Sequence, residues 1–166
     1  MEKVKVIFLD VDGVLNPLVN IYMRKKKGEP TSSYHITIPG DKIYRLKQIV
    51  DRTGAILIMS SSWRLGYIAS NMTPSRSYIN LNNQLMRYGL QLQGWTPVHK
   101  DRIRGIEINW WLESFIRNNG YKPKYIIIDD ELEDLINYHR GHIIKTTSLL
   151  GIQDEHVNIA VNLLNT

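Results

Sequence analysis

The sequence predicts an α/β sandwich on a mostly parallel five-stranded sheet. Three observations carry that expectation. Short apolar runs rich in Ile, Leu and Val recur at "KVKVIFLD", "AILIMS" and "YIIID", as strands buried on both faces require. Segments with a helical repeat separate them. Strands alternating with helices demand crossover connections, and crossovers leave neighbouring strands parallel.

Each element follows in order. "KVKVIFLD" is the first strand. "LVNIYM" and "YHITI" read as a β-hairpin, with Gly28 and Pro30 at its tip. "GDKIYRLKQIVDRTG" is amphipathic: Ile43, Leu46, Ile49 and Val50 share a face, Asp41 suits an N-cap and Gly54 a C-cap. "AILIMS" is the second strand and "SWRLGYIASN" a short helix. "TPSRSYINLNNQLMRYG" is helical from about Tyr78 to Gly89, and "LQLQGWTP" is a weaker third strand. "GIEINWWLESFIRNNG" is a helix with Ile106, Trp110, Leu112 and Ile116 near one face. "YKPKYIIID" is the fourth strand, "ELEDLINYH" a helix, "HIIKTT" the fifth strand and "DEHVNIAVNLLN" a closing helix. No repeat or linker interrupts the chain, so residues 1–166 read as one domain.

Composition narrows the class. With 43% hydrophobic and 22% charged residues, the chain has a soluble globular profile. It has no cysteine, which excludes disulfides, a disulfide-linked partner and thiolate metal sites, and fits a cytoplasmic location. No run approaches the ~20 apolar residues of a membrane span. The N-terminal apolar stretch is interrupted by Asp10 too soon for a signal peptide. A net charge of +5 and a pI near 9.4 bias encounters toward anions such as nucleic acid or phosphorylated compounds. The sharpest basic cluster is Arg24, Lys25, Lys26 and Lys27, on the expected hairpin. Such a run is more often a solvated loop than a ligand site. The Trp and Tyr content permits a dimer surface without requiring one, so the oligomeric state stays open.

In open parallel sheets ligands bind beyond the carboxyl ends of the strands. Asp10 and Asp12 follow the first strand there, Ser60, Ser61 and Ser62 the second, and Asp129 and Asp130 the fourth. Four carboxylates at one sheet edge cannot all stay ionised without a cation among them. Oxygen ligands without His or Cys select Mg²⁺, which also takes substrate phosphate. Of the pair in "DVDG", one can attack phosphorus and the other can serve as general acid and base. Gly13 frees the backbone for a sharp turn and a close approach to phosphate. Ser60, the first residue past its apolar run, is the favoured phosphate ligand, with Ser61 in reserve. Arg64 either pairs locally or holds a second phosphate. Lys100, Arg102 and Arg104 offer a cation to offset phosphoryl charge, with Arg104 favoured over Lys100 as nearest the helix start, where its charge opposes the helix dipole. Asp134 lies one turn beyond Asp130, within possible reach of the same metal. His139 and His142 straddle Gly141, a poor arrangement for two ligands on one face.

"FLDVDGVLN", the strand-end serine of "ILIMSSSWR", the basic residue of "RIRGIEI" and "IIIDDELED" together resemble the haloacid dehalogenase (HAD) superfamily of aspartate-based phosphohydrolases. "SSSWR", "GWTP" and "RGIEINWWL" further resemble the small HAD domain associated with Swiss Army Knife RNA repair proteins. The resemblance implies a Rossmann-like fold with minimal or no cap domain. It implies Asp10 as nucleophile, Asp12 as general acid/base, Ser60 on phosphate and Arg104 where the family more often has lysine. It implies Mg²⁺ on Asp10, the Val11 carbonyl and Asp129, with Asp130 in support. A nearly capless site implies a macromolecular substrate, such as an RNA or DNA end bearing a 3′-phosphate, with Arg24, Lys25, Lys26 and Lys27 on a β-hairpin flap beside the site as substrate-phosphate contacts. The alternatives are a phosphatase of free nucleotides or other small esters and a receiver-like signalling domain. A receiver expects its acceptor aspartate after the third strand, where this chain has "LQGWT".

Overall fold

The structure, a computed structural model, describes residues 3–65 and 73–166. Strands β1 (Lys5–Leu9), β2 (Ile56–Met59), β3 (Leu92–Trp95), β4 (Lys124–Asp129) and β5 (Ile143–Lys145) form one sheet in the order β3-β2-β1-β4-β5. Every pairing is parallel. The expected α/β, Rossmann-like architecture is therefore present, and the sheet is wholly rather than mostly parallel. β1 is central, and Val6 to Leu9 are fully buried. That is why its sequence is apolar at every position rather than at alternate ones.

Helices α1 (Leu18–Lys26), α2 (Gly40–Thr53), α3 (Arg76–Met86), α4 (Arg104–Asn119), α5 (Ile136–His139) and α6 (Asp154–Asn165) connect and close the sheet. Alternate strand residues feed two cores. Ile7, Leu9, Leu57, Met59 and Ile128 join Leu46, Leu81 and Leu164 of α2, α3 and α6. Val6, Phe8, Ile58 and Ile127 join Ile108 and Leu112 of α4, where Phe8 meets Trp111 edge-on at 5.2 Å. Leu112 lies on the buried face, as expected, but Trp110 is exposed and Trp111 takes the packing position. Among the described residues no helix is long and apolar enough to cross a membrane.

The β-hairpin flap is replaced by a helix. "LVNIYMRKK" forms α1, with Pro17 at its N-cap and Ile21 packed against the core. Proline suits a helix start because no intrahelical bond needs its missing N–H. Among the described residues "YHITI" has no strand partner. Side-chain amides of α3 bind its backbone instead: Asn80 donates to the Ser33 and Ile36 carbonyls, Gln84 Nε2 donates to Ile36 O, and Gln84 Oε1 accepts from Ile38 N at 2.8 Å. The buried backbone is thus satisfied without a ladder, which a pattern of alternating residues cannot reveal.

Other boundaries shift. Pro39, not Asp41, caps α2, and Asp41 sits in its first turn, while Gly54 closes the helix at φ 69° as expected. A single 3-10 turn spans Ser62–Arg64, and residues 66–72 of the expected "SWRLGYIASN" helix lie outside the described residues. α3 begins at Arg76, where the Ser75 hydroxyl accepts from Tyr78 N. Of "ELEDLINYH" only Ile136–His139 is helical.

Chain order and strand order together locate a crevice. The chain runs outward from β1 through β2 to β3, then returns to the other side of β1 with β4. The switch point therefore lies at the carboxyl ends of β1 and β4. Pairing of Leu9 with Ile128 brings the next residues, Asp10 and Asp129, to that edge side by side.

Candidate active site

The turn after β1 is built around one carbonyl. Val11 O accepts the N–H groups of Val14, Leu15 and Asn16 at 2.9–3.1 Å, and Gly13 N donates to Asn16 O at 3.0 Å. This tight loop carries Asp10 and Asp12 past the sheet edge. It also corrects an expectation, because the Val11 carbonyl is spent inside the turn and is not open to a metal. Asp12 O accepts no hydrogen bond among the described residues. Gly13 sits at φ 75°, and a Cβ there would lie 2.2 Å from the Asp130 carboxyl carbon. Glycine is required on both counts.

The loop after β5 fastens this turn from outside. Thr146 Oγ1 donates to Gly13 O at 2.7 Å, and Ile152 N donates to Val14 O at 2.9 Å. Ser148 Oγ donates to Asp130 at 2.6 Å.

Three carboxylates converge. Asp10, Asp129 and Asp130 each offer an oxygen within 4.8 Å of the others. Asp10 is 7% exposed and Asp129 1%. Burial is the main cause that pushes the Asp10 carboxyl up to about 7, against the lowering effect of Arg104. Burial, reinforced by Asp10, pushes Asp129 up to about 8. Full ionisation of this trio needs more positive charge than one guanidinium provides, and all the donors are oxygen. The residues present therefore fit a hard divalent cation. Asp12 does not join the cluster. Trp63 Nε1 donates to its Oδ2 at 2.8 Å and Asn16 Nδ2 to its Oδ1 at 2.7 Å. Asp12 is held apart at the mouth of the site by two N–H donors.

Arg104 organises carboxylates. Its Nη1 donates to Asp129 at 2.5 Å and lies 3.7 Å from Asp10, Nη2 reaches Glu131 at 3.1 Å, and Nε reaches Asp134 at 3.5 Å. Asp134 also accepts the Arg104 backbone N–H at 2.9 Å. This answers the apparent mismatch of a cation at a helix start: a carboxylate from the loop after β4 supplies the negative charge that the α4 dipole favours. Asp134 is thus a cap of α4. Lys100 is exposed and outside the cavity lining.

The two serines separate. The Ser61 hydroxyl accepts the Trp63 N–H at 3.4 Å, and its proximity to Asp10 helps lower that carboxyl. The Ser60 hydroxyl is buried and has no partner among the described residues. Both side chains are buried, and Ser62 is the serine of this loop that lines the cavity.

Arg64 is buried in an ion pair with Glu107, which is itself fully buried. It also donates to Ser61 O at 2.5 Å and Thr96 O at 3.2 Å. Glu107 accepts His99 N at 2.8 Å. The pair ties the loop after β2 to α4. Arg24 bonds Pro30 O and Glu29, leaving Lys25, Lys26 and Lys27 exposed at the end of α1. His139 is buried between the Gly105 carbonyl and the Tyr125 hydroxyl. A carbonyl only accepts, so Nε2 carries the proton there.

Asn16, Trp63 and Glu107 have structural duties at this site that sequence reasoning missed. Asn16 follows Asp12 by four residues in a glycine turn, a spacing that could have suggested it. Trp63 and Glu107 offered no signal, because their partners come from distant segments.

A cavity of about 350 Å³ opens at this edge, lined by Asp10, Asp12, Asn16, Asp130, Arg102 and Arg104 among others. Leu18 and Ile21 of α1 form part of its rim. Comparison with curated proteins found no match, and comparison with solved structures found none. Residues 6–157 match a family model described as the HAD domain in Swiss Army Knife RNA repair proteins. The parallel sheet, the crevice between β1 and β4 and that match over most of the sequence give one conclusion: the chain belongs to this HAD domain family.

Proposed function

We propose that this protein is a Mg²⁺-dependent phosphomonoesterase that works through an aspartyl-phosphate. Family membership supports a HAD-type phosphatase in general. One observation carries the finer reading: Asp10 stands in the carboxylate trio, whereas Asp12 is held outside it by Trp63 and Asn16. One acid is thus placed for attack and the other for proton transfer.

In this reading an oxygen of Asp10 bonds to phosphorus as the ester P–O bond breaks. Asp12 gives its proton to the leaving oxygen. It then takes a proton from water as that water attacks phosphorus, which cleaves the Asp10–phosphate bond and frees inorganic phosphate. The hydrogen bonds from Trp63 and Asn16 leave each Asp12 oxygen a further lone pair for that proton. Asp10, Asp129 and Asp130 would hold Mg²⁺, and the unbonded Asp12 carbonyl is the backbone oxygen of the turn open to it. When bound, the ion supplies the positive charge that keeps Asp10 ionised and offsets phosphoryl charge. Ser61 supports Asp10 from beside it, and Gly13 allows the close approach of phosphate.

A polynucleotide end is the proposed substrate. The rim helix α1 ends in exposed Lys25, Lys26 and Lys27, with Lys26 5.9 Å from the ring of exposed Tyr22. Cations and an aromatic face suit single-stranded nucleic acid. The test is phosphate release with Mg²⁺ from 3′- and 5′-phosphorylated RNA and DNA against mononucleotides. Release should be fastest from a polynucleotide and lost in Asp10→Asn. Wild type that releases nothing from any substrate overturns the hydrolase reading, and a preference for mononucleotides overturns the substrate.

A further inference from the structure

The arginines at the cavity divide by what already occupies them. Arg104 is committed to four carboxylates, and Arg64 to Glu107 and two carbonyls. Arg102 lines the same cavity, is exposed, and makes no ion pair with any described residue. Its backbone holds a left-handed conformation at φ 55°, the one positive φ outside glycine among the described residues, with its N–H bonded to His99 O at 2.9 Å. Such a conformation disfavours a side chain as large as arginine and persists where the surroundings impose it.

Charge counting shows what Arg102 is left to do. Asp10, Asp129, Asp130, Glu131 and Asp134 against Arg104 leave four negative charges, of which one divalent cation would neutralise two. The scissile phosphoryl group then has that cation and the donors near Asp10. An anionic group one step further along the substrate would meet Glu131, already paired with Arg104, and Asp130, already bonded by Ser148. Arg102 is the unpaired positive charge on the wall of this cavity among the described residues.

We infer that Arg102 forms a second anion subsite, taking the phosphodiester adjacent to the scissile phosphomonoester. This rests on the phosphatase reading above and adds a specificity-determining residue to it. Guanidinium and phosphate form paired, charge-assisted hydrogen bonds, so the contact favours a substrate with two phosphate groups over one with a single group.

The experiment compares a mononucleotide with the same nucleotide extended by one phosphodiester, each phosphorylated at the end that wild type cleaves. A nucleoside 3′,5′-bisphosphate forms a third arm. In wild type the extended substrate should have the higher kcat/KM. In R102A the ratio of extended to mononucleotide kcat/KM should fall about tenfold or more. R102K should regain part of it, and raised salt should lower the wild-type ratio. An unchanged ratio in R102A, including equal loss on both substrates, overturns the subsite. A preference for the bisphosphate that exceeds that for the extended nucleotide overturns the diester assignment. Equilibrium binding of the same ligands to Asp10→Asn and to the Asp10→Asn, Arg102→Ala double variant reads the subsite without turnover. If wild type releases no phosphate, the hydrolase reading fails on its own, and this binding ratio still decides Arg102: a tenfold fall supports the subsite and no fall removes it.

Discussion

Replacing Glu107 by alanine should remove a large share of the protein's stability. Glu107 is fully buried and faces the buried Arg64 guanidinium, so the substitution leaves a positive charge without a partner away from water. It also takes the acceptor from the His99 N–H. Breaking one side of a buried pair costs about 3–5 kcal/mol. A domain of this size holds roughly 5–15 kcal/mol in total. At about 2–4 °C per kcal/mol, Tm should fall by roughly 6–20 °C. Urea titration and thermal melting of wild type, E107A and the double variant R64M/E107L measure this. The double variant should lose much less than E107A, since apolar groups of similar volume can replace a buried pair. It should nevertheless lose phosphatase activity, because Arg64 no longer holds the Ser61 carbonyl. A loss below about 1 kcal/mol in E107A, or a double variant as unstable as E107A, would refute the reasoning.

Asn16→Ala and Trp63→Phe each remove one donor from Asp12. A hydrogen bond to a charged group is worth about 1.5–3 kcal/mol, so kcat should drop about 10- to 100-fold in each, read by phosphate release. Gly13→Ala forces Asp130 aside and strains the turn. It should weaken Mg²⁺ binding by calorimetry about tenfold or more and lower Tm, at a backbone cost of about 1–2 kcal/mol. In metal-free protein Asp10 and Asp129 keep protons up to about 7 and 8, whereas the unfolded chain loses them near its ordinary value of 3.8. Between those values the folded state binds more protons, so these groups lower stability as pH rises toward 8 and level off above it. Added Mg²⁺ should therefore raise Tm more at about pH 8.5 than at about pH 5.5, where it must displace protons. Equal Tm gains at both pH values would count against the carboxylate cluster as the metal site.

What could be read from the residues alone divides by range. β1, β2 and β4 were clear because their apolar runs are continuous, and Asp10 and Asp129 follow from those strand ends. The Ser60 and Ser61 choice turned on a single residue of register, which composition does not encode. α1 was misread because Leu18, Val19, Ile21 and Tyr22 fit a short strand as readily as a helix, and the amides of α3 that satisfy residues 33–38 lie more than 40 positions away. The partners of Trp63 and Glu107 are likewise long-range, so nothing local marked either residue as part of the site.

The turn bearing Asp10 and Asp12 depends on Thr146, whose hydroxyl reaches Gly13 across 133 positions. During synthesis the leading motif is made early but stays unset until the segment through Ile152 leaves the ribosome and docks. A nascent chain would thus carry its reactive acids without a working pocket. Truncation before Thr146 should yield a polypeptide with the full signature and no affinity for the ion.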